Sequence, residues 1–315
     1  MNMNTNTAAV GLLVPPMWFR YDHAERHALL STIAAAGIDH LAVGDHVSFI
    51  SGAGFDGLTH ATALLASQPT LPVHLAVYLL ALRHPVPTAR TLATIAELAP
   101  GRLTLGVGVG GEDPHELEIC GVDPGTRGAR LDEALHLVRR LLTGESISHA
   151  GRHFSVRDAT IVPPPVPPVP VLVGGRSDAA PARAGRLGDG WLGIWVSPQR
   201  FAEAVARTAE AAAAAGRPRP VAHELNVWCG IDRDAGAARA RLAAAMEGLY
   251  ATPFERFERY SPAGSPEQVA EFLAGYVDAG CQSFNLIVAD DEPARVVDAA
   301  VEVRTALRGL IPAQV

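Results

Sequence analysis

An aspartate and a histidine stand side by side, Asp45-His46, directly after the apolar run from Asp39 to Gly44. An imidazole is the side chain best suited to give or take a proton near neutral pH. A lone histidine more often anchors a loop, but a place at the end of a buried strand favours chemistry. A second stretch, Leu103 to Glu118, runs Leu-Thr-Leu-Gly-Val-Gly-Val-Gly-Gly-Glu-Asp-Pro-His-Glu-Leu-Glu. Gly106, Gly108, Gly110 and Gly111 strip the chain to backbone where it must approach something flat or charged. Asp113, Pro114 and Glu116 then fit the cap, first and near-third positions of a helix. A third stretch, Gly174-Gly175-Arg176-Ser177-Asp178, joins a strand to a helix start. Free backbone N–H groups there, with Arg176, make an anion site suited to a phosphate, provided the Asp178 carboxylate points away. The same glycines would also serve tight connections that bind nothing.

Other chemistries find less support. Gly106-x-Gly108-x-x-Gly111 has the dinucleotide spacing, but the acid at the required distance, Glu133, falls inside a helical pattern. His23, His27, His40, His60, His74, His136, His149, His153 and His223 lack the spacing of a zinc motif, and no metal is expected. No Gly-x-Ser-x-Gly elbow occurs. Asp45 and Glu112 are the strand-end carboxylates available to a glycosidase-like pair. A net charge of -7 argues against a phosphate-tracking nucleic-acid binder. Three scattered cysteines, Cys120, Cys229 and Cys281, suggest no disulfide framework. The polar start lacks a signal core and no apolar run reaches membrane length, so a cytoplasmic protein is expected, with residues 1–8 as a disordered tail.

These residues need a scaffold that brings strand ends together. Ala9–Val14, Asp39–Gly44, Leu71–Leu82, Leu103–Gly106, Val171–Val173, Gly190–Ile194, Val221–Ile231 and Ser283–Ala289 read as apolar strands separated by helical patterns. Eight such strands predict a closed (β/α)8 barrel over residues 9–315, with chemistry at the strands' carboxyl ends. An irregular block, Gly144 to Pro170, interrupts the repeat between strands four and five; it holds a hairpin, Ser146 to Phe154, and a proline run that reads as a stiff connector. The alanine-rich helix Pro198–Ala215 could pack against a second copy, giving a homodimer.

Taken in order, Val43-Gly-Asp-His46, Leu82-Arg-His-Pro-Val86, Pro100-Gly-Arg-Leu-Thr-Leu-Gly-Val-Gly-Val-Gly110, Glu116-Leu-Glu-Ile-Cys-Gly121, Arg127-Gly-Ala-Arg-Leu-Asp-Glu133, Pro170-Val-Leu-Val-Gly-Gly-Arg176 and Gly188-Asp-Gly-Trp191 resemble the bacterial luciferase-like flavin monooxygenase superfamily. Within it they are most similar to the branch using the deazaflavin coenzyme F420. The match spans about residue 40 to residue 195; the C-terminal third agrees in architecture only.

The resemblance implies a barrel enzyme moving a hydride between coenzyme F420 and a small organic substrate, with His46 handling the proton. Asp45 and His46 would lie beside the ring. A non-proline cis peptide at Ala76-Val77 would press on the ring's back face, and Gly108, Val109 and Gly110 would meet the ring or its side chain. Gly174, Gly175, Arg176 and Ser177 would hold the phosphate. Two departures stand out: Gly111 replaces a frequent aromatic, and a longer loop puts the family's catalytic glutamate at Glu112 or removes it. Trp18, Phe19, Phe49, Tyr78 and Trp195 are candidates for an apolar substrate pocket. The alternatives are an FMN-dependent two-component monooxygenase fed by a separate reductase, and a catalytically silent flavin binder.

Overall fold

Residues 8–15, 18, 21–50 and 52–311 are described by the computed structural model. The first four strands are β1 (Ala9–Leu13), β2 (Leu41–Val43), β3 (Val73–Tyr78) and β4 (Leu103–Val107). A hairpin follows, β5 (Ile147–Ala150) with β6 (Ser155–Ala159), and then β7 (Val171–Gly174), β8 (Gly190–Ile194) and β9 (Glu224–Ile231). A two-residue strand β10 (Ala263–Gly264) precedes β11 (Ser283–Val288). Every pairing in the main sheet is parallel, in the order β10-β9-β11-β1-β2-β3-β4-β7-β8, and a further β8–β9 pairing closes it. Eight strands therefore make the barrel, with β10 attached outside the circle. Strands covered on both faces become continuous apolar runs, which is why β2, β7 and most of β8 are buried throughout.

The strand expected over Leu71–Leu82 is shorter than its apolar run. It ends at Tyr78, and Leu80–Leu82 form a 3-10 turn before the helix Pro85–Leu98. Its pairing with β4 shifts register between Leu75 and Tyr78. The hairpin extends past Phe154 to Ala159, and the proline run carries cis bonds at Val162-Pro163 and Val166-Pro167. The apolar face of the helix Pro198–Ala214 is spent internally. Phe201, Ala204, Val205 and Thr208 are buried, and Gly185 of the helix Ala179–Leu187 passes so close that an added Cβ would lie 2.3 Å from the Thr208 carbonyl. Among the described residues no helix is long and apolar enough to cross a membrane.

The barrel interior is polar along one line. His40 Nε2 lies 2.7 Å from Asn285 Oδ1, while Asn285 Nδ2 donates to Glu224 Oε2 (3.1 Å) and to Asn226 Oδ1 (2.9 Å). Asn226 Nδ2 in turn donates to the Ala76 carbonyl at 3.0 Å. His74 Nδ1 sits 2.9 Å from Glu224 Oε1, and the His40 and His74 rings stack with centroids 4.0 Å apart. Histidine spacing in the sequence did not bring these together; barrel closure does. His40, His74 and Glu224 bring potential ligand atoms within 4.8 Å of one another. Burial pushes the Glu224 carboxyl up, but His74, His40 and Asn285 outweigh it and hold it below its ordinary value. Burial, reinforced by His74, pushes the His40 imidazole down to about 4, so it is neutral at physiological pH.

Candidate active site

At the carboxyl ends of the strands lies a cavity of about 570 Å³, inside the range of small-molecule sites. Its wall includes Asp45, His46, Ala76, Val77, Gly108, Val109, Gly110, Glu112, Gly174, Gly175, Arg176 and Ser177, so the three sequence stretches meet at one mouth.

The glycines serve two different needs. Added Cβ atoms at Gly108 and Gly174 would lie 2.5 and 2.7 Å from the methyls of Val77, and one at Gly106 would lie 2.1 Å from the Leu75 carbonyl. These three make room for β3 where its register shifts. Gly44 and Gly110 instead border open space: a Cβ meets nothing within 4 Å at the first and only a Leu79 methyl at 3.8 Å at the second. The Ala76-Val77 peptide is cis, at the position implied by the resemblance, and both residues form the cavity floor.

The turn after β7 leads directly into a helix start. The helix Ala179–Leu187 starts just beyond Ser177, and Gly175 adopts φ +135°. Trp191 Nε1 donates to the Gly175 carbonyl at 2.9 Å, fixing the turn from the next strand. Asp178 pairs with Arg200 and, at 3.8 Å, with Arg207, which draws its carboxylate away from the cavity.

Asp45 does not reach out as a reacting group. Its side chain is fully enclosed and accepts from the Gly57 and Leu79 backbone N–H groups, each at 2.8 Å, and pairs with Arg83 at 2.7 Å. These contacts fix the end of β2 at the cavity wall. Glu112, the candidate catalytic glutamate, pairs with Arg176 at 3.4 Å instead of approaching His46.

The glutamate beside His46 is Glu116. Its Oε2 lies 3.1 Å from His46 Nδ1, while Oε1 accepts from the Val47 and Ser48 N–H groups at 2.6 and 3.1 Å. Burial raises the Glu116 carboxyl, but these partners prevail and hold it below its ordinary value, so it is ionised. An ionised acceptor at Nδ1 selects the tautomer with hydrogen on Nδ1 and leaves the Nε2 lone pair for a ligand. Sequence reading had placed Glu116 near the third position of the helix, with no sign that the loop would fold back onto its carboxylate. Glu116→Gln keeps acceptance from Val47 and Ser48 but removes the charge behind the imidazole. Turnover should fall about tenfold in kcat with little change in KM, as expected for loss of one charge-assisted hydrogen bond; steady-state kinetics on the parent and the Glu116→Gln variant checks this.

The aromatic expectations divide. Phe49 and Trp195 line the cavity. Trp18 and Tyr78 are instead buried in the main core, because Tyr78 ends β3 facing the helices and Arg83 covers its ring at 4.6 Å. Phe19 lies outside the described residues. Tyr250, at the end of the helix Ala235–Tyr250, was missed; it lines the cavity and meets Trp195 edge-on at 5.0 Å. Its only sequence signal was an aromatic at the end of a helical insert.

A family description, luciferase-like monooxygenase, matches residues 11–283, and the chain belongs to that family. An F420-dependent glucose-6-phosphate dehydrogenase of Beutenbergia cavernae is 38% identical over 177 residues, covering 54% of this chain and 52% of that one. An uncharacterised protein of Mycobacterium tuberculosis is 34% identical over 173 residues, covering 55% and 59%. The chain thus spans between half and three fifths of the length of these curated relatives. Among solved structures, an F420-dependent secondary alcohol dehydrogenase in complex with an F420-acetone adduct superposes with a TM-score of 0.83, covering 96% of this chain and 99% of that one at 19% identity. That likeness is one of fold.

Proposed function

We propose that this chain is an oxidoreductase that transfers a hydride between coenzyme F420 and a small organic substrate. The observation that carries this reading is the pairing of His46 Nδ1 with the enclosed Glu116 carboxylate, beside a cavity with a floor of small groups and the glycine turn after β7 on its wall. Backbone N–H groups of Arg176 and Ser177, at the turn made by Gly174 and Gly175, would hold the coenzyme's phosphate together with the Arg176 guanidinium. Ala76, Val77, Val109 and Gly110 would flank its ring. When bound, the deazaflavin supplies the hydride-accepting carbon; the protein supplies placement, exclusion of water and a proton site. For oxidation of a hydroxyl substrate, His46 Nε2 would take the hydroxyl proton and Glu116 would balance the resulting imidazolium. For reduction the same nitrogen would return it. A separate enzyme would recycle the coenzyme. Relatives that are named as F420-dependent support the choice of deazaflavin over flavin.

Trp195 on the cavity wall gives a direct readout. Titration with F420 should quench tryptophan fluorescence to saturation at micromolar concentration, with FMN binding far more weakly. Tight binding of FMN and none of F420 would replace this reading with an FMN-dependent monooxygenase.

A further inference from the structure

The barrel interior offers a second place for chemistry, independent of the coenzyme. We propose that His40, His74 and Glu224, with the amide oxygen of Asn285, bind one divalent first-row transition ion of the zinc type in the amino-terminal half of the barrel.

The donors come from parts of the chain that no sequence motif links. They are the residue before β2, the second residue of β3, the first of β9 and the third of β11. One ring nitrogen from each histidine and one Glu224 oxygen lie within 4.8 Å of one another. His40, Glu224 and Asn285 are all buried. Asn285 spends both amide hydrogens, on Glu224 Oε2 and on Asn226 Oδ1, so its oxygen is turned to His40 Nε2 at 2.7 Å. Gly11 on β1 gives up a side chain to seat the same ring: a Cβ there would lie 2.1 Å from His40 Nε2.

Two observations favour an ion over a closed network of hydrogen bonds. The first is an orphaned nitrogen. His74 Nδ1 is buried and makes no hydrogen bond. Glu224 Oε1 is only 2.9 Å away, but off the line along which a ring N–H donates. A buried polar atom left in this way calls for another partner. Two ligands of one ion stand close together with each aimed at the ion and not at the other. The second observation is charge. Glu224 is enclosed and held ionised, while His40 is held neutral. A buried carboxylate needs a cation, and among the described residues the basic group paired with Glu224 is His74. An imidazolium there would point its Nδ1 hydrogen past the oxygen it has to serve. An ionised carboxylate and a neutral imidazole are also the forms in which these groups ligate metals.

Two imidazoles with oxygen donors suit zinc and its neighbours, whereas magnesium and calcium take oxygen alone. Ligands of a tetrahedral ion with bonds of about 2.0–2.1 Å stand about 3.3 Å apart, so the widest pair closes by up to about 1.5 Å. The His40 and His74 rings stack 17° from parallel, and a turn of His74 about its Cβ–Cγ bond opens the stack and brings the two nitrogens together. The ion would then tie the start of β2 to β3, β9 and β11 from inside. Through Asn285 and Asn226 it would brace the Ala76 carbonyl at the cavity floor.

The test is elemental analysis of the purified protein, as isolated and after unfolding and refolding with zinc, each followed by a chelating column. About one transition ion per chain should remain. X-ray absorption at the zinc edge of the refolded parent should show two imidazoles with oxygen and no sulfur. Glu224→Gln and His74→Gln should each lower the metal content at least tenfold under the same wash. Less than about 0.1 ion per chain in both preparations of the parent overturns the proposal and leaves a protonated His74 paired with Glu224. Undiminished metal in both variants, or a shell with sulfur or without imidazole, puts the ion elsewhere and overturns it as well. The parent's metal content and absorption spectrum decide the matter if either variant fails to fold.

Discussion

His46→Ala should lower turnover about 10²–10⁴-fold, the usual contribution of a positioned general acid or base. The loss should fall on kcat, with coenzyme affinity within a few-fold of the parent, because the proposed anion cradle is on β7 and the turn after it, a separate element from the loop that carries His46. The imidazole is half-exposed and packs on Phe49, so its removal opens a small surface gap rather than a core void. Fluorescence titration with F420 and stopped-flow absorbance of the coenzyme separate binding from hydride transfer. A variant that keeps full turnover with an identified substrate would strip His46 of its role. Loss of coenzyme binding instead would make His46 a ring-holding residue.

Acidification should destabilise the fold well above the ordinary carboxylate range. His40, His60 and His223 are each pushed down to about 4, in every case chiefly by burial. Geometry agrees for His223, whose Nδ1 accepts from the Trp191 backbone N–H at 3.2 Å and is therefore unprotonated. In the unfolded chain the same imidazoles titrate near 6.5. Between about pH 4 and 6.5 the unfolded state binds more protons, so stability is complete above the unfolded value and declines as pH falls. Each histidine contributes up to about 1.4 kcal/mol per pH unit; from pH 7 to 5.5 the three together cost about 4 kcal/mol. For a chain of this size that corresponds to a fall in Tm of roughly 10 °C. Melting curves at those two pH values test it, and an unchanged Tm would show that these imidazoles are protonated in the folded state. Carboxylates held low, such as Glu224 and Asp39, add losses of the same sign only at lower pH.

The scaffold was legible because burial on both faces writes parallel strands as apolar runs. The Gly174 turn could be read for the same reason: backbone chemistry is local. Glu116 could not, because its partner is 70 residues away and only the fold-back of the loop after β2 brings them together. Trp18 and Tyr78 were assigned to the pocket from residue type, and type does not say which face of a strand or turn a ring takes. The interior line from His40 to Ala76 was equally hidden. Its members come from β3, β9, β11 and the residue before β2, and a polar residue within an apolar run gives no sign of whether it faces the axis or the helices.

Asp45 clasps the backbone at Gly57 and Leu79 and the guanidinium of Arg83. His46 takes its bearing from that knot, one residue along the chain. Asp45 and Arg83 are therefore a unit of replacement: loss of Arg83 leaves an enclosed carboxylate under the cavity, whereas loss of Asp45 leaves Arg83 its pairing with Asp56 at 3.4 Å. Redesign of the substrate wall can begin with Phe49 and Tyr250, which stand clear of the knot, while changes below it would turn the imidazole away from its work.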